Sequence, residues 1–287
     1  MTTRNHRKFG PLIACGLFGA VVGSAQAQSS GPAQALLDAP FTGSIGVFIL
    51  RTDLRANVNG GTRENSEIDF NETFGRGNDA TRWRVDGLWR ITPTHHLRFE
   101  YFDNSNTRTN TLAHDVDFGD YRFLSGTTAS FRYKQETTAL SYEYAFVREP
   151  SYEIAASIGV HFTRTQLGLS GDAKLFHPDG SVTSESGAVT SQSVSAPLPL
   201  IGLHGGWVVA PQWYIDGGVS LFKISYDAYD GQWTDARLAA TWMYNKNFGI
   251  GVGIDGFTAN VKVAKDSFDG RLRTGYAGLQ LFVAGAF

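Results

Sequence analysis

The side chains that could do chemistry in this chain are carboxylates, imidazoles and guanidiniums, and they fall in three places. Asp115, Asp117 and Asp120 crowd one short stretch. Oxygen ligands so close together could hold a divalent cation, but the run lacks the EF-hand spacing, and an acidic solvated loop is the plainer reading. His177 sits in a Ser-rich stretch near Ser170, Asp172 and Ser181. Those are the parts of a hydrolytic triad, although closeness in sequence does not assemble one. The third set is dispersed: Arg84, Asp86, Arg90, Arg98, Glu100, Glu143, Glu153, His161, His204, Asp216, Asp235, Arg237 and Asp255. Both signs are interspersed, as suits groups that must neutralise one another in a low-dielectric interior.

The elements that carry this third set alternate with period two, which marks strands with two different faces. In 152–169, Ile154, Ala156, Ile158, Val160 and Phe162 oppose Glu153, Ser157, Gly159, His161 and Thr163. In 248–263, Ile250, Val252 and Ile254 oppose Gly249, Gly251, Gly253 and Asp255. In 271–287, the chain ends on Phe287, with Val283, Leu281 and Leu279 on one parity. Strand-like segments also cover 43–58, 81–91, 96–102, 129–147, 198–209, 213–226 and 233–244. Short turns such as Thr92-Pro93-Thr94, Ala210-Pro211-Gln212 and Asn245-Lys246-Asn247 alternate with long polar connections at 59–80, 103–128 and 170–196.

No uninterrupted apolar run is long enough for a transmembrane helix. A membrane-crossing chain of this kind must therefore close into a barrel, since only that form satisfies every backbone group in lipid. The expectation is an all-β, closed antiparallel up-and-down transmembrane β-barrel of about ten strands, with eight or twelve as alternatives, spanning 41–287. Ten tilted strands leave room for side chains and some water but not for a wide channel. Trp89, Phe146, Trp207, Trp213, Trp242, Tyr244 and Phe248 fall near the short turns. Trp83, Phe131, Tyr133, Phe162, Tyr226 and Trp233 fall near the long connections, so two interfacial girdles are expected.

The first residues have a basic Arg4/Arg7/Lys8 region, an apolar Pro11–Gly23 region and Ala25-Gln26-Ala27. This pattern is that of a cleaved secretory leader, residues 1–27. Residues 28–40 read as a flexible arm. Cys15 is the single cysteine, so the mature chain carries no disulfide framework. Leader removal lowers the basic count from 25 to 22 against 27 acidic residues, a net charge of −5. That balance argues against a nucleic-acid partner.

The stretches Arg82-Trp83-Arg84-Val85-Asp86-Gly87-Leu88-Trp89-Arg90, His96-Leu97-Arg98-Phe99-Glu100-Tyr101-Phe102, Asp115-Val116-Asp117-Phe118-Gly119-Asp120 and Ala196-Pro197-Leu198-Pro199-Leu200 carry a resemblance. Most of 41–287 resembles a proteobacterial outer-membrane β-barrel family without assigned activity, in the small-barrel (OmpA-type) superfamily. The resemblance implies fold and location, the cell outer membrane, and Phe287 as the residue read by the barrel-assembly machinery. Outer-membrane lipid and lipopolysaccharide as surroundings, a monomer, and no cofactor or metal are expected. Ten strands is also the number in the omptin proteases. Asp115-Val116-Asp117 fits half of the omptin pattern, but no Asp-x-His occurs to supply the other half. Function is expected to be structural or narrow-pore passage. The alternatives are a lipid-modifying enzyme of the deacylase or phospholipase type and a surface-interaction protein acting through its long loops.

Overall fold

The structure, a computed structural model, describes residues 31–61, 64–75, 80–226, 229–265 and 268–287. The leader, residues 28–30 of the arm, and Asp266 and Ser267 of the last turn lie outside the described residues. The strands in chain order are β1 (Phe41–Val58), β2 (Ile68–Asp69), β3 (Ala80–Arg90), β4 (His95–Thr111), β5 (Val116–Phe118), β6 (Tyr121–Phe123) and β7 (Thr128–Glu149). They continue with β8 (Tyr152–Phe176), β9 (Val182–Ala210), β10 (Trp213–Tyr226), β11 (Tyr229–Met243), β12 (Phe248–Lys265) and β13 (Phe268–Ala286). Two short helices, α1 (Gln34–Asp38) and α2 (Phe70–Thr73), complete the chain.

The sheet thus holds thirteen strands rather than the expected ten. Ten of them hydrogen-bond antiparallel in the order β8-β7-β4-β3-β1-β13-β12-β11-β10-β9, and β9 returns to β8 to close the ring. The other three, β2, β5 and β6, are two- and three-residue strands beyond the ring. Too short to alternate, they left no trace in the sequence pattern.

Parity sets which side chain faces which solvent. Val283 and Ile158 are 50% and 63% exposed, while Arg84 and Asp255 are 4% and 5% exposed. An outward face of Ile45, Leu140, Ile201, Leu238, Ile250 and Leu279 is stable only against lipid. In water each such side chain would forgo roughly 1.5–3 kcal/mol of burial. The helices are too short to cross a membrane; here strands do it, and a closed ring leaves no unpaired edge at that level.

Beyond this apolar belt the strands rise into a crown. Inside it, Leu54, Phe70, Phe118, Phe123, Phe131, Leu167 and Leu272 form one buried apolar cluster. Residues 59–80 and 103–128, expected as polar connections, supply much of it. Asp69 caps α2 by accepting the N–H of Asn71 and Glu72 at 3.0 and 3.1 Å. Phe70 then stacks on Phe131 with ring centroids 4.0 Å apart. The stretch 170–196 is likewise no linker: β8 runs to Phe176 and β9 starts at Val182, a hairpin that overtops the ring.

At the short-turn end, residues 31–40 are not a free arm. α1 lies in the mouth of the ring, burying Ala33, Leu36 and Leu37 against Tyr214, Met243 and Phe282. Gly31 is required there, because a Cβ would come within 2.1 Å of the Pro211 carbonyl oxygen. Ala33 N–H bonds that same oxygen at 3.0 Å.

Of the two aromatic girdles, the lower one is seen in Trp89, Phe146, Trp213, Tyr244 and Phe248, all largely exposed. The upper one is thinner than expected. Trp83 and Phe162 face outward, but Phe131, Tyr133 and Trp233 turn inward and are buried. They belong to the parity that packs the crown and the upper lumen.

Candidate functional site

The ring brings all thirteen dispersed polar residues onto its inner face, in three tiers. The lowest is built on Glu153. Arg90 and Arg148 bind it at 3.1 and 2.6 Å, and both reach on to the last carbonyls of α1. Arg90 donates to Leu36 O at 2.9 Å and Ala39 O at 3.1 Å, and Arg148 donates to Leu37 O at 3.1 Å. Cations at a helix C-terminus meet orphan carbonyls and the negative end of the helix dipole. In the middle tier Arg98 Nε and Nη2 donate to Glu143 at 2.5 and 3.3 Å, and His204 Nε2 lies 3.7 Å from the same carboxylate.

The upper tier centres on Arg84. Its guanidinium meets Asp86 at 3.1 Å, Asp255 at 2.6 Å and Glu100 at 3.6 Å, and Arg237 meets Asp86 at 3.1 Å. Arg84 is on β3 and Asp255 on β12, with β1 and β13 between them in the wall. Asp86 and Arg237 likewise join β3 to β11. These pairs are struts across the lumen, not only bonds between neighbouring strands. Between the tiers lies a cavity of about 110 Å³, lined by Asp216, Asp235, His161, His204, Ser220 and members of the network. That volume admits a few water molecules and no chain of solute.

Arg148 lies just past the 129–147 segment expected from the alternation, yet it belongs to β7 and to the lowest tier. A register shift between Ala145 and Val147 changes which parity points inward, so counting by twos fails just before Arg148. His96, fully buried, was assigned no role, although His161 and His204 were.

The other candidate groups do not assemble. Arg122 grips Asp117 at 2.8 and 3.1 Å, Asp115 accepts Ser125 N–H at 2.8 Å, and Asp120 accepts Gly61 N–H at 3.2 Å. Asp115 and Asp117 are spent within their own loop and Asp120 on the neighbouring one. The Ser125 N–H holds the Asp115 carboxyl below the usual carboxylate range. Among the described residues no group of three acidic, His or Cys side chains is placed to hold a metal ion. His177 Nε2 lies 3.0 Å from Thr183 Oγ1 at the exposed tip of the β8–β9 hairpin. Asp172 is engaged elsewhere, by Ser186 Oγ and Gly187 N–H, and Ser181 bonds Asp179. No triad forms from that stretch.

A solved structure shares this architecture. The outer-membrane protease OmpT from Escherichia coli matches over 86% of this chain and 96% of its own, with a TM-score of 0.59 and 13% sequence identity. The toluene transporter TodX of Pseudomonas putida matches over 90% and 93%, at a TM-score of 0.37 and 9% identity. Ail of Yersinia pestis matches over 84% and 98%, at a TM-score of 0.29 and 11% identity. At such identities the first likeness defines a fold, that of an outer-membrane β-barrel. No family model and no curated relative matches the chain.

Proposed function

We propose that this chain is a monomeric outer-membrane barrel that stays shut, serving as a structural wall element with an extracellular crown rather than as a pore. The observation that carries the proposal is closure at three levels. α1 fills the periplasmic mouth, cross-lumen ion pairs fill the middle, and the apolar cluster under Phe118 and Phe131 fills the crown. Apolar packing closes the mouth and the crown, and ion pairs close the middle, so no one stimulus removes all three. Ion pairs that link strands three and four places apart in the ring also tie non-adjacent parts of the wall together.

The outer belt supports the location, with lipid and lipopolysaccharide as its neighbours. Phe287 fits an assembly signal by position: it is 64% exposed, packs edge-on against Phe248, and exchanges backbone hydrogen bonds with Phe41 at 2.8 and 3.0 Å.

Planar-bilayer recording of the folded protein tests the proposal. The expected trace has no unitary openings across the applied voltage range, and deletion of 28–40 leaves it flat because the upper two barriers remain. Discrete, reproducible openings of the intact protein would overturn it in favour of a narrow conduit.

A further inference from the structure

The wall of the ring has a notch. β9 pairs with β10 only from Ala210 up to Ile201, whose partner is Leu221. Above that point both strands continue but part company. β10 runs on to Tyr226 alongside β11, and β9 stays with β8 back to Val182. Two prolines help to hold the notch open. Val208 donates its N–H to Ser151 O, so even-numbered β9 residues turn their backbone groups to β8 and odd-numbered ones to the β10 side. Pro197 and Pro199 are odd-numbered. Each lacks the N–H that would stitch this side to β10.

The notch opens where the apolar belt ends. Ile201 and Leu221 at its apex, and Phe162 beside Pro197, are each more than half exposed. Immediately inside is a separate apolar cluster of Leu198, Leu200, Trp233 and Phe257, with half-buried Phe222 against it. Trp233 is 2% exposed, yet its Nε1 has no partner among the described residues. Its ring stacks on His161 at 4.5 Å, and His161 lines the polar cavity below. A buried indole N–H without an acceptor is costly. Here it stands at the boundary between a greasy cluster continuous with the belt and a small polar chamber.

We infer that this notch is a lateral portal for a neutral single-chain acyl lipid, whose carbonyl oxygen accepts the Trp233 N–H while its chain lies over Leu198, Leu200 and Phe222 and out into the outer leaflet. An acyl chain fits because the lining is apolar and joins the belt. A neutral head fits because six acidic side chains, Asp216 and Asp235 among them, line the chamber against four arginines, so it offers an anion no net positive partner. Phe222 is the side chain that turns aside to admit it.

Photolabelling of the full barrel in phosphatidylcholine nanodiscs tests the portal, with a monoacylglycerol and a fatty acid each bearing a diazirine on the chain. The expected adducts of the monoacylglycerol include the inward residues Leu198, Leu200, Phe222 or Trp233, with fewer from the fatty acid at neutral pH. Leu200→Trp, which fills the cluster, should abolish inward adducts. Phe222→Ala should raise them, and it decides the matter should Leu200→Trp not fold. Adducts confined to the outward residues Phe162, Ile201 and Leu221 would overturn the portal while leaving the barrel itself intact. Inward labelling by the fatty acid equal to that by the monoacylglycerol would overturn the neutral-head assignment. The portal does not depend on whether the barrel conducts.

Discussion

The ring at the level of Arg84 and the crown at the level of Phe131 are made largely of the same strands, yet they sort side chains in opposite ways. Low on β13, Val283 faces out and the inner surface opposite is ionic. Higher on the same strand, Leu272 is buried and Arg273 faces out to meet Glu67 at 3.2 Å. β1 does the same. Ile45 and Ile49 face lipid, whereas above them Arg55 turns outward to Asp69 at 2.9 Å and Leu54, Ala56 and Val58 turn in. The chain keeps its period of two throughout and merely exchanges which parity is apolar. The difference teaches that outside solvent, not strand geometry, decides what a barrel encloses: lipid outside permits a charged lumen, and water outside demands an oily one.

That contrast can be broken from either side. The largest effect belongs to the charged level. Arg84→Ala strands Asp255 in the interior, leaves Asp86 to Arg237 alone, and should lower stability by roughly 3–5 kcal/mol. The measurement is the urea midpoint of refolding into vesicles, followed by heat-modifiable gel mobility. Replacing Arg84 and Asp255 together with Met and Leu should recover much of the loss, and failure to do so would argue that the struts do more than neutralise. In the crown, Phe131→Ala should cost about 3 kcal/mol through its cavity. It should act locally, admitting protease to the crown while the belt stays protected and heat-modifiable. Cleavage within the membrane-embedded ring would show that the two levels are not separable.

The smallest effect sharpens the crown alone. The carboxyl of Asp115 is lowered by its bond from Ser125 N–H, so its contribution is fully present above the ordinary carboxylate pKa. It is lost as pH falls through the folded value. Asp115→Asn should therefore weaken crown protection slightly near neutrality and flatten its acid limb, so that variant and parent converge at low pH.

Where outward lipid made the alternation strict, the sequence was legible. Ile154 to Phe162 against Glu153 to His161 revealed both the strand and its charged face. It was not legible where the parity rule lost its anchor. In the crown both faces of the β8–β9 hairpin carry Ser, Thr and Gly, so 170–196 looked like a linker though it is a strand pair. The bulge before Val147 hid Arg148. α1, at five residues, is too short to display a helical period, and its role in the mouth depends on arginines drawn from β3 and β7. Trp233 and Tyr133 looked interfacial by their place in the chain, but their parity had already become that of a packed core.

The seam between β1 and β13 has a kinetic consequence. It joins Thr42 to Ala286 and runs to Val58 with Gly270, so its partners are more than two hundred residues apart. The other ring neighbours are consecutive or separated only by β2 or by β5 and β6. Hairpins can therefore form early and locally, but the cylinder is completed in one long-range event that must wait until nearly the whole polypeptide is in place. Until then β1 and β13 are bare edges in search of partners, and the interval before they meet is when this chain is most exposed to mispairing.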